Sequence, residues 1–195
     1  MFDQRQYLIK EHVGLLKFND TYDILDPATG RKLGIAKEST PGWCLALRLV
    51  VNKQMLPKTI AISEDGASTP ALTIKRGFTF LRSTVWIHDG QMQRIGYFKS
   101  KLFSIGGGFW VHDMADNRIA EIKGDWKGWN FRFLDEGGRE LGLVTKKWAG
   151  LGKELFTSAD TYIVTIADTV AELGSYPSLF LAAGIAIDTI FKEKG

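Results

Sequence analysis

Four segments of the chain repeat one arrangement of hydrophobic and polar positions. Each begins with alternating apolar residues, continues through an aspartate and a short polar stretch, and ends in an apolar-Gly-x-apolar-Lys sequence or a near variant of it. The segments span residues 22–37, 85–99, 109–123 and 131–146. Alternation with a period of two is typical of a strand with one buried face, and Asp followed by Gly or Asn is typical of a tight turn. Each segment is therefore predicted to be a β-hairpin.

The aspartate of each repeat is predicted to have a structural role in the hairpin turn. An Asp carboxylate accepts hydrogen bonds from backbone N–H groups just downstream of it. The four residues are Asp26, Asp89, Asp113 and Asp135. The returning strand carries glycine at positions 34, 96 and 142, and alanine at position 120. Glycine inside a strand predicts a bend or a close approach of the backbone to something inside the sheet.

Further strands are predicted at residues 7–13, 59–63, 71–75 and 162–167. With both arms of the four hairpins they give about twelve strands. So many short antiparallel strands close most readily into a barrel, because closure removes the exposed sheet edges. Residues 43–56 do not follow the strand pattern, and we interpret them as a short helix outside the sheet. No linker or low-complexity tract interrupts residues 1–195, so we expect a single domain.

The C-terminal segment departs from the strand pattern. Pro177 suits a first helical position, and residues 179–187 are apolar on every side of a helix. Such a helix either spans a membrane or is buried in protein. Residues 179–191 reach only about 20 Å as a helix, whereas the hydrocarbon core of a bilayer is about 30 Å thick. We therefore expect this helix to fill the barrel, with Asp188 in a structural role, paired to a basic side chain or to backbone donors at the rim.

Composition and charge narrow the range of functions only a little. The net charge of +3 and the pI near 8.9 tolerate an anionic partner, such as a membrane surface, without requiring one. Cys44 is the single cysteine, which excludes an intrachain disulfide and a cysteine metal cluster. The N-terminal residues carry charges where a signal peptide needs an apolar run. We expect a cytoplasmic protein.

No set of residues predicts catalysis or a cofactor. The histidines His12, His88 and His112 lack the spacing of a metal-binding motif. His88 and His112 precede the turn aspartate in two of the hairpins, which favours a structural role. The glycines at 106–108 lack the Lys-Ser/Thr of a phosphate-binding loop, and no basic helix suited to nucleic acid is visible. We expect neither an enzyme, nor a cofactor, nor a nucleic-acid partner.

Basic residues interleaved with tryptophan form the most suggestive surface feature. Basic side chains are attracted to an anionic leaflet, and tryptophan favours the membrane interface. The candidate lipid-binding residues are Lys123, Trp126, Lys127, Lys146, Lys147, Trp148 and Lys153. The competing interpretation is that these tryptophans pack under the barrel while the lysines are merely solvated.

The sequence resembles the phospholipid scramblase family. The resemblance is strongest over KKWAGLGKELFTSADTYIVTIAD at 146–168, followed by LFLAAGIAIDTIFKE at 179–193. That family has a similar K-x-W…G…E-x-F-T-x-A-D-aromatic segment followed by a comparable helix. The hairpins with Asp turns also resemble the wider Tubby-like group, which includes the plant LURP-one-related proteins. The resemblance implies a mainly β fold, a twelve-stranded antiparallel barrel around a central C-terminal hydrophobic helix.

The resemblance also exposes a difference at a metal site. Animal scramblases are described with a calcium-binding segment resembling an EF-hand loop. The matching positions here are Ser158, Asp160 and Thr169. One carboxylate and two hydroxyls fall short of the roughly 6 to 8 oxygen ligands that calcium takes. The segment is degenerate as a calcium site, and no metal is expected.

Three functional hypotheses follow from these features. The first is a non-enzymatic Tubby-like domain that binds acidic lipid headgroups, or a protein partner, at the inner membrane surface. The second is a scramblase that inserts the C-terminal helix and moves phospholipids across the bilayer. The third is a small-ligand carrier or an enzyme that uses a cavity in the barrel.

Overall fold

The computed structural model describes residues 1–12, 19–47, 55–78, 84–101, 108–125, 129–147, 161–171 and 176–191. Within these ranges the chain forms twelve strands and three helices. The strands are β1 Gln6–Glu11, β2 Thr21–Leu25, β3 Lys32–Ser39, β4 Lys58–Glu64, β5 Leu72–Arg76, β6 Thr84–Asp89, β7 Arg94–Ser100, β8 Gly108–His112, β9 Arg118–Asp125, β10 Asn130–Leu134, β11 Glu140–Thr145 and β12 Thr161–Ile166. The helices are α1 Gly42–Leu47, α2 Asp168–Ala171 and α3 Tyr176–Phe191.

The strands of the described chain form one closed antiparallel barrel. Each strand pairs with its neighbours in sequence, and β1 closes the barrel on β12, for example through Leu8 and Ile163. The four repeats are the hairpins β2–β3, β6–β7, β8–β9 and β10–β11. In each of them the strand register shifts just before the turn aspartate. The predicted β architecture is confirmed.

Alternation along the strands separates a lumen face from an outer face. On β10, Phe131 and Phe133 are buried, whereas Asn130 and Arg132 are exposed. Phe133 lies against Phe180 of α3, with ring centroids 4.7 Å apart. The sequence period of two therefore becomes an apolar lumen and a polar exterior.

The barrel has two different ends. We call the first the turn end, because it carries the tight hairpin turns that begin at Asp26, Asp89, Asp113 and Asp135. The opposite end is the loop end, where the odd-numbered strands β3 to β11 finish. Their last residues are Ser39, Arg76, Ser100, Asp125 and Thr145.

Helix α3 occupies the lumen and runs from the turn end to the loop end. Tyr176, at its start, lies with its hydroxyl 3.5 Å from the Asp113 carboxylate at the turn end. Every described side chain from Leu179 to Asp188 is buried, except Gly184, which has none. This confirms the buried helix that the all-round apolar pattern predicted. Among the described residues, no helix combines the length and the apolar character needed to cross a membrane.

Glycine allows the close approaches that the return strands predicted. A Cβ built on Gly96 would lie 2.6 Å from the carbonyl oxygen of His112 and 2.9 Å from a methyl carbon of Leu179 on α3. A Cβ on Gly184 of α3 would lie 2.5 Å from a methyl carbon of Val164. Real Cβ atoms do not come so close, so the helix and the strands require glycine here.

Candidate functional site

The turn aspartates bind their own hairpins. Asp26 Oδ1 accepts a hydrogen bond of 2.8 Å from the backbone N–H of Ala28. Asp89 accepts two such bonds, from Gln91 and Gln93. Equivalent bonds to Asp113 come from Ala115 and Asn117, and one to Asp135 comes from Arg139. These carboxylates are therefore engaged in folding the turn end.

The same hydrogen bonds shift the acidity of these carboxyl groups. The backbone N–H of Arg139, followed by its side chain, lowers the pKa of Asp135 below its ordinary value. The backbone N–H of Ala28 lowers the pKa of Asp26 in the same way. Partial burial raises the pKa of Asp113, but its hydrogen bonds outweigh burial and the net direction is downward. The ionised form is the one that the turns stabilise.

Three of the candidate lysines lie on one side of the loop end. Lys123 is near the end of β9 with its side chain 62% exposed, and its Nζ lies 3.5 Å from Glu121. Lys146 follows β11, and its Nζ lies 4.4 Å from the centre of the Trp129 ring. Lys147 is exposed. Since β10 lies between β9 and β11, the barrel brings these three cations to one region.

The other candidates divide between the described and undescribed parts of the chain. The described residues do not include Trp126, Lys127, Trp148, Lys153, Ser158 and Asp160. Thr169 is exposed on α2, beside Asp168, which pairs with Arg5 at 2.9 Å. Within the described ranges, His, Cys, Asp and Glu side chains nowhere form a group of three or more that could hold a metal ion.

Trp129 belongs to the same run of basic residues and tryptophans as the candidate lysines. Its backbone has a φ of 48°, which is uncommon for a bulky side chain. Its ring lies 5.6 Å from that of Phe131 and 5.1 Å from that of Tyr162. Trp129 therefore packs against the core at the loop end, and Lys146 covers it from outside.

Charge is distributed unequally between the two halves of the barrel. Acidic residues outnumber basic ones in the turn half of the described chain. The acidic residues there are Asp3, Asp26, Glu64, Asp65, Asp89, Asp113, Asp116, Asp135, Glu136, Glu140 and Asp168, and the basic ones are Arg5, Arg31, Lys32, Arg94, Arg118 and Arg139. In the loop half basic residues are in excess. They are Lys10, Lys37, Lys58, Lys75, Arg76, Lys99, Lys101, Lys123, Arg132, Lys146 and Lys147, against Glu11, Asp20, Asp23, Glu38, Glu121, Asp125 and Asp188.

The repeat itself produces much of this separation. Each hairpin starts at the loop end, turns at its aspartate and returns to the loop end at its lysine. The four lysines of the repeats are Lys37, Lys99, Lys123 and Lys146. Copies of one hairpin around a closed barrel therefore place aspartates at one end and lysines at the other.

A buried polar group lies where α3 reaches the loop end. Asp188 is only 3% exposed. Burial, and then the Asp188 carboxylate, raise the pKa values of Tyr22 and Tyr162 well above the ordinary value. Neither tyrosine hydroxyl has a hydrogen-bond partner among the described residues. The end of the central helix therefore lies in a more polar environment than its middle.

A buried ion pair supports the same end of the barrel on its other side. Lys58 Nζ lies 3.2 Å from Glu38 Oε1, with side-chain exposures of 8% and 2%. Nearby, Arg76 is buried and donates a 3.0 Å hydrogen bond to the carbonyl oxygen of Leu56. The strand pattern did not predict these contacts, because nothing in it distinguishes a buried lysine or arginine from a solvated one.

The outer face of β6 to β9 carries aromatic rings covered by cations. Trp86 lies 4.9 Å from Tyr97, and Arg94 lies over the Trp86 ring at 4.3 Å. Trp110 is covered by Lys101 at 3.8 Å and by Arg118 at 4.3 Å. These tryptophans face away from the lumen, and the flanking cations already cover their rings.

The histidines take part in local contacts. His112 stacks on Tyr97 at 4.7 Å, and its Nδ1 lies 3.3 Å from the Asp116 carbonyl oxygen in the adjoining turn. His88 is buried, and burial lowers its pKa below the ordinary value. His12 lies 2.6 Å from Asp23.

Comparison with known proteins identifies the family. The family model described as Scramblase matches residues 19–194, nearly the whole chain. The chain belongs to the scramblase family. A search of curated proteins found no match.

A solved structure agrees on the fold. The scramblase-family barrel is similar to an X-ray structure of a protein from Arabidopsis thaliana, with a TM-score of 0.52 and 12% sequence identity. The similarity covers 97% of this chain and 92% of the plant protein. At that identity the match concerns the fold alone, and the fold is the one that the Asp-turn hairpins predicted.

Proposed function

We propose that this scramblase-family domain docks reversibly on an acidic membrane surface through the loop end of its barrel, without catalysing a reaction. The observation that carries the proposal is the separation of charge between the two ends. An acidic surface attracts the loop end and repels the turn end, so it orients the domain as well as binding it. The acidic leaflet of cellular membranes is the cytoplasmic one, which gives the domain a peripheral position there.

The magnitude of the attraction suits reversible binding. A Lys or Arg close to an anionic leaflet contributes about 1 kcal/mol. Screening limits this contribution to residues within about 8–10 Å of the surface. Lys123, Lys146 and Lys147 lie together at the loop end and supply about 3 kcal/mol by that rule. Such an interaction weakens as salt is added.

The loop-end orientation directs the C-terminus of α3 toward the bilayer. Lipid transport by insertion of α3 would require the helix to leave the barrel. Its large buried side chains are Leu179, Phe180, Leu181, Ile185 and Ile187. Exposing each of these side chains to water costs about 2 kcal/mol, so removing the helix from the barrel costs on the order of 10 kcal/mol. Burial of the same side chains in the bilayer would offset part of this cost. This cost favours peripheral docking over insertion.

The test is cosedimentation of the purified chain with neutral and with acidic vesicles at low and high salt. The test variant is Lys123→Gln/Lys147→Gln, since both side chains are exposed at the loop end. Loss of about 2 kcal/mol predicts roughly 30-fold weaker binding to acidic vesicles. The matched control is Arg31→Gln/Arg94→Gln, which removes the same charge from exposed positions at the turn end.

The outcomes separate the functional hypotheses. Salt-sensitive binding to acidic vesicles that is weakened by the lysine variant and not by the arginine control supports docking through the loop end. Equal losses in both variants would contradict the orientation. Binding that salt does not weaken at all, and that the lysine variant leaves unchanged, would favour insertion of α3. No binding by the wild-type chain would exclude the membrane surface and leave a protein partner as the hypothesis to pursue.

A further inference from the structure

Trp43 and Phe78 form an exposed aromatic pair at the loop end. Their side chains are 57% and 48% exposed, and their ring centroids lie 5.8 Å apart at an interplanar angle of 40°. Trp43 belongs to α1, which follows β3, and Phe78 follows β5. Two separate connections of the barrel therefore present one apolar surface to solvent.

Buried residues adjoin both members of the pair along the chain. Cys44, next to Trp43, is fully buried, and its backbone N–H donates a 2.9 Å hydrogen bond to the Pro41 carbonyl oxygen. Because Cys44 faces the protein, α1 holds Trp43 toward solvent. Two residues before Phe78, the Arg76 guanidinium donates a hydrogen bond to the carbonyl oxygen of Leu56, which is itself buried. Each aromatic residue is therefore one or two positions from a buried, hydrogen-bonded residue.

Basic residues accompany the pair. Lys75 lies on the outer side of β5, three residues before Phe78, and Lys37 is exposed near the end of β3, six residues before Trp43. Both strands finish at the loop end. A partner that accepts two aromatic rings among cations needs an apolar interior under an anionic surface, and an acidic bilayer has both.

We propose that Trp43 and Phe78 insert together into the headgroup region of an anionic bilayer and fix the depth at which the domain docks. The inference rests on the proposed function and adds the residues that enter the membrane. The lysines then provide salt-sensitive attraction, and the aromatic pair provides a salt-insensitive part of the binding.

The turn end offers a matched control. Met92 and Met114 are 49% and 48% exposed, close to the values for the aromatic pair. They lie in the hairpin turns β6–β7 and β8–β9, among the acidic residues of the turn half. An acidic bilayer repels that surface, so these equally exposed apolar side chains stay in water.

The experiment measures binding to vesicles that contain phosphatidylserine, for the wild-type chain, for Trp43→Ala/Phe78→Ala and for Met92→Ala/Met114→Ala. Burial of roughly 100 Å² of aromatic surface predicts at least about tenfold weaker binding for the aromatic variant. The dependence of its binding on salt should match that of the wild type, and the methionine variant should bind like the wild type. Circular dichroism melts verify that both variants fold.

A second readout places Trp43 in the membrane directly. Vesicles with brominated acyl chains quench tryptophan fluorescence only within contact range. The expected result is quenching in the wild-type chain that is reduced in Trp43→Phe, which keeps an aromatic ring at the same place; equal quenching in both would contradict insertion of Trp43.

Each remaining outcome is decisive. Binding that is equally strong in Trp43→Ala/Phe78→Ala overturns the insertion of the pair and leaves electrostatic docking standing. Self-association of the wild-type chain that the aromatic variant abolishes, without any effect on vesicle binding, would assign the pair to a second copy and overturn the proposal. Absence of wild-type binding to any vesicle would refute the proposed function itself.

Discussion

Gly96→Ala tests whether α3 lies as close to the barrel wall as the structure places it. The added Cβ would be 2.6 Å from the His112 carbonyl oxygen and 2.9 and 3.0 Å from the two methyl carbons of Leu179. The carbonyl belongs to the paired strands β7 and β8, so it has little freedom to retreat. Leu179 is fully buried and is confined in the same way.

The expected loss follows from two opposing terms. Overpacking by one methyl group costs about 1–3 kcal/mol, and two simultaneous contacts put this site near the upper limit. Replacing glycine by alanine in a strand stabilises the folded state by about 0.5–1 kcal/mol, because alanine loses less backbone entropy on folding. The net destabilisation is about 2 kcal/mol, which lowers Tm by roughly 4–8 °C for a chain of this size.

Urea denaturation followed by circular dichroism, together with thermal melts, measures the effect. Gly77→Ala is the matched control, because a Cβ there meets no atom within 4 Å and its backbone is not left-handed. It should leave stability unchanged or raise it by up to about 1 kcal/mol. In the Gly96→Ala background, Leu179→Ala should cost less than it does in the wild type, since it relieves part of the clash.

One result would refute this reasoning. If Gly96→Ala is as stable as Gly77→Ala, the lumen at that level is wider than the structure has it. Ala120 of the third hairpin supplies the internal comparison, because it occupies the same repeat position as a buried alanine. There the reverse change, Ala120→Gly, should be the destabilising one, by about 0.5–1 kcal/mol or more.

Two further predictions concern charge. Turn hydrogen bonds lower the pKa values of Asp113 and Asp135, so the stabilisation they give is present above the ordinary aspartate pKa and is lost as the pH falls through the lowered values. In urea melts, Asp113→Asn/Asp135→Asn should therefore lose less stability than the wild type as the pH falls below roughly 4. An equal loss in both proteins would contradict this. Glu38→Gln leaves Lys58 buried without its carboxylate and should cost about 3–5 kcal/mol, most of which Glu38→Leu/Lys58→Met should recover by the same measurement.

Most of the fold could be predicted because its signals are local. Alternation such as that of Phe131, Arg132 and Phe133 fixes which face of a strand is buried, and the turn aspartate fixes where the strand reverses. The position of α3 followed from its length and its lack of a polar side. Each inference needed only a few neighbouring residues, and the tertiary contacts of the barrel agree with these local preferences.

The candidate site depends on contacts that sequence order does not reveal. Glu38 and Lys58 are twenty residues apart and meet only because β3 and β4 pair in one register. Trp43 and Phe78 meet across two connections, and either residue by itself looks like an ordinary core aromatic. The lysines of the repeats were visible in the sequence, but their gathering at one end became apparent only when the barrel closed.

The repeat explains why a distributed interaction suits this molecule. Every copy adds a lysine to the loop end and a hydrogen-bonded aspartate to the turn end, so the separation of charge grows with the number of hairpins and depends little on any one of them. Each lysine near an acidic surface is worth about 1 kcal/mol, which is too little for recognition by a single residue but sufficient when several act together. The aspartates cannot be exchanged for lysines without losing the turns they hold. The chemistry that folds the hairpins therefore keeps the turn end acidic, which leaves the loop end as the surface for the membrane docking that we propose.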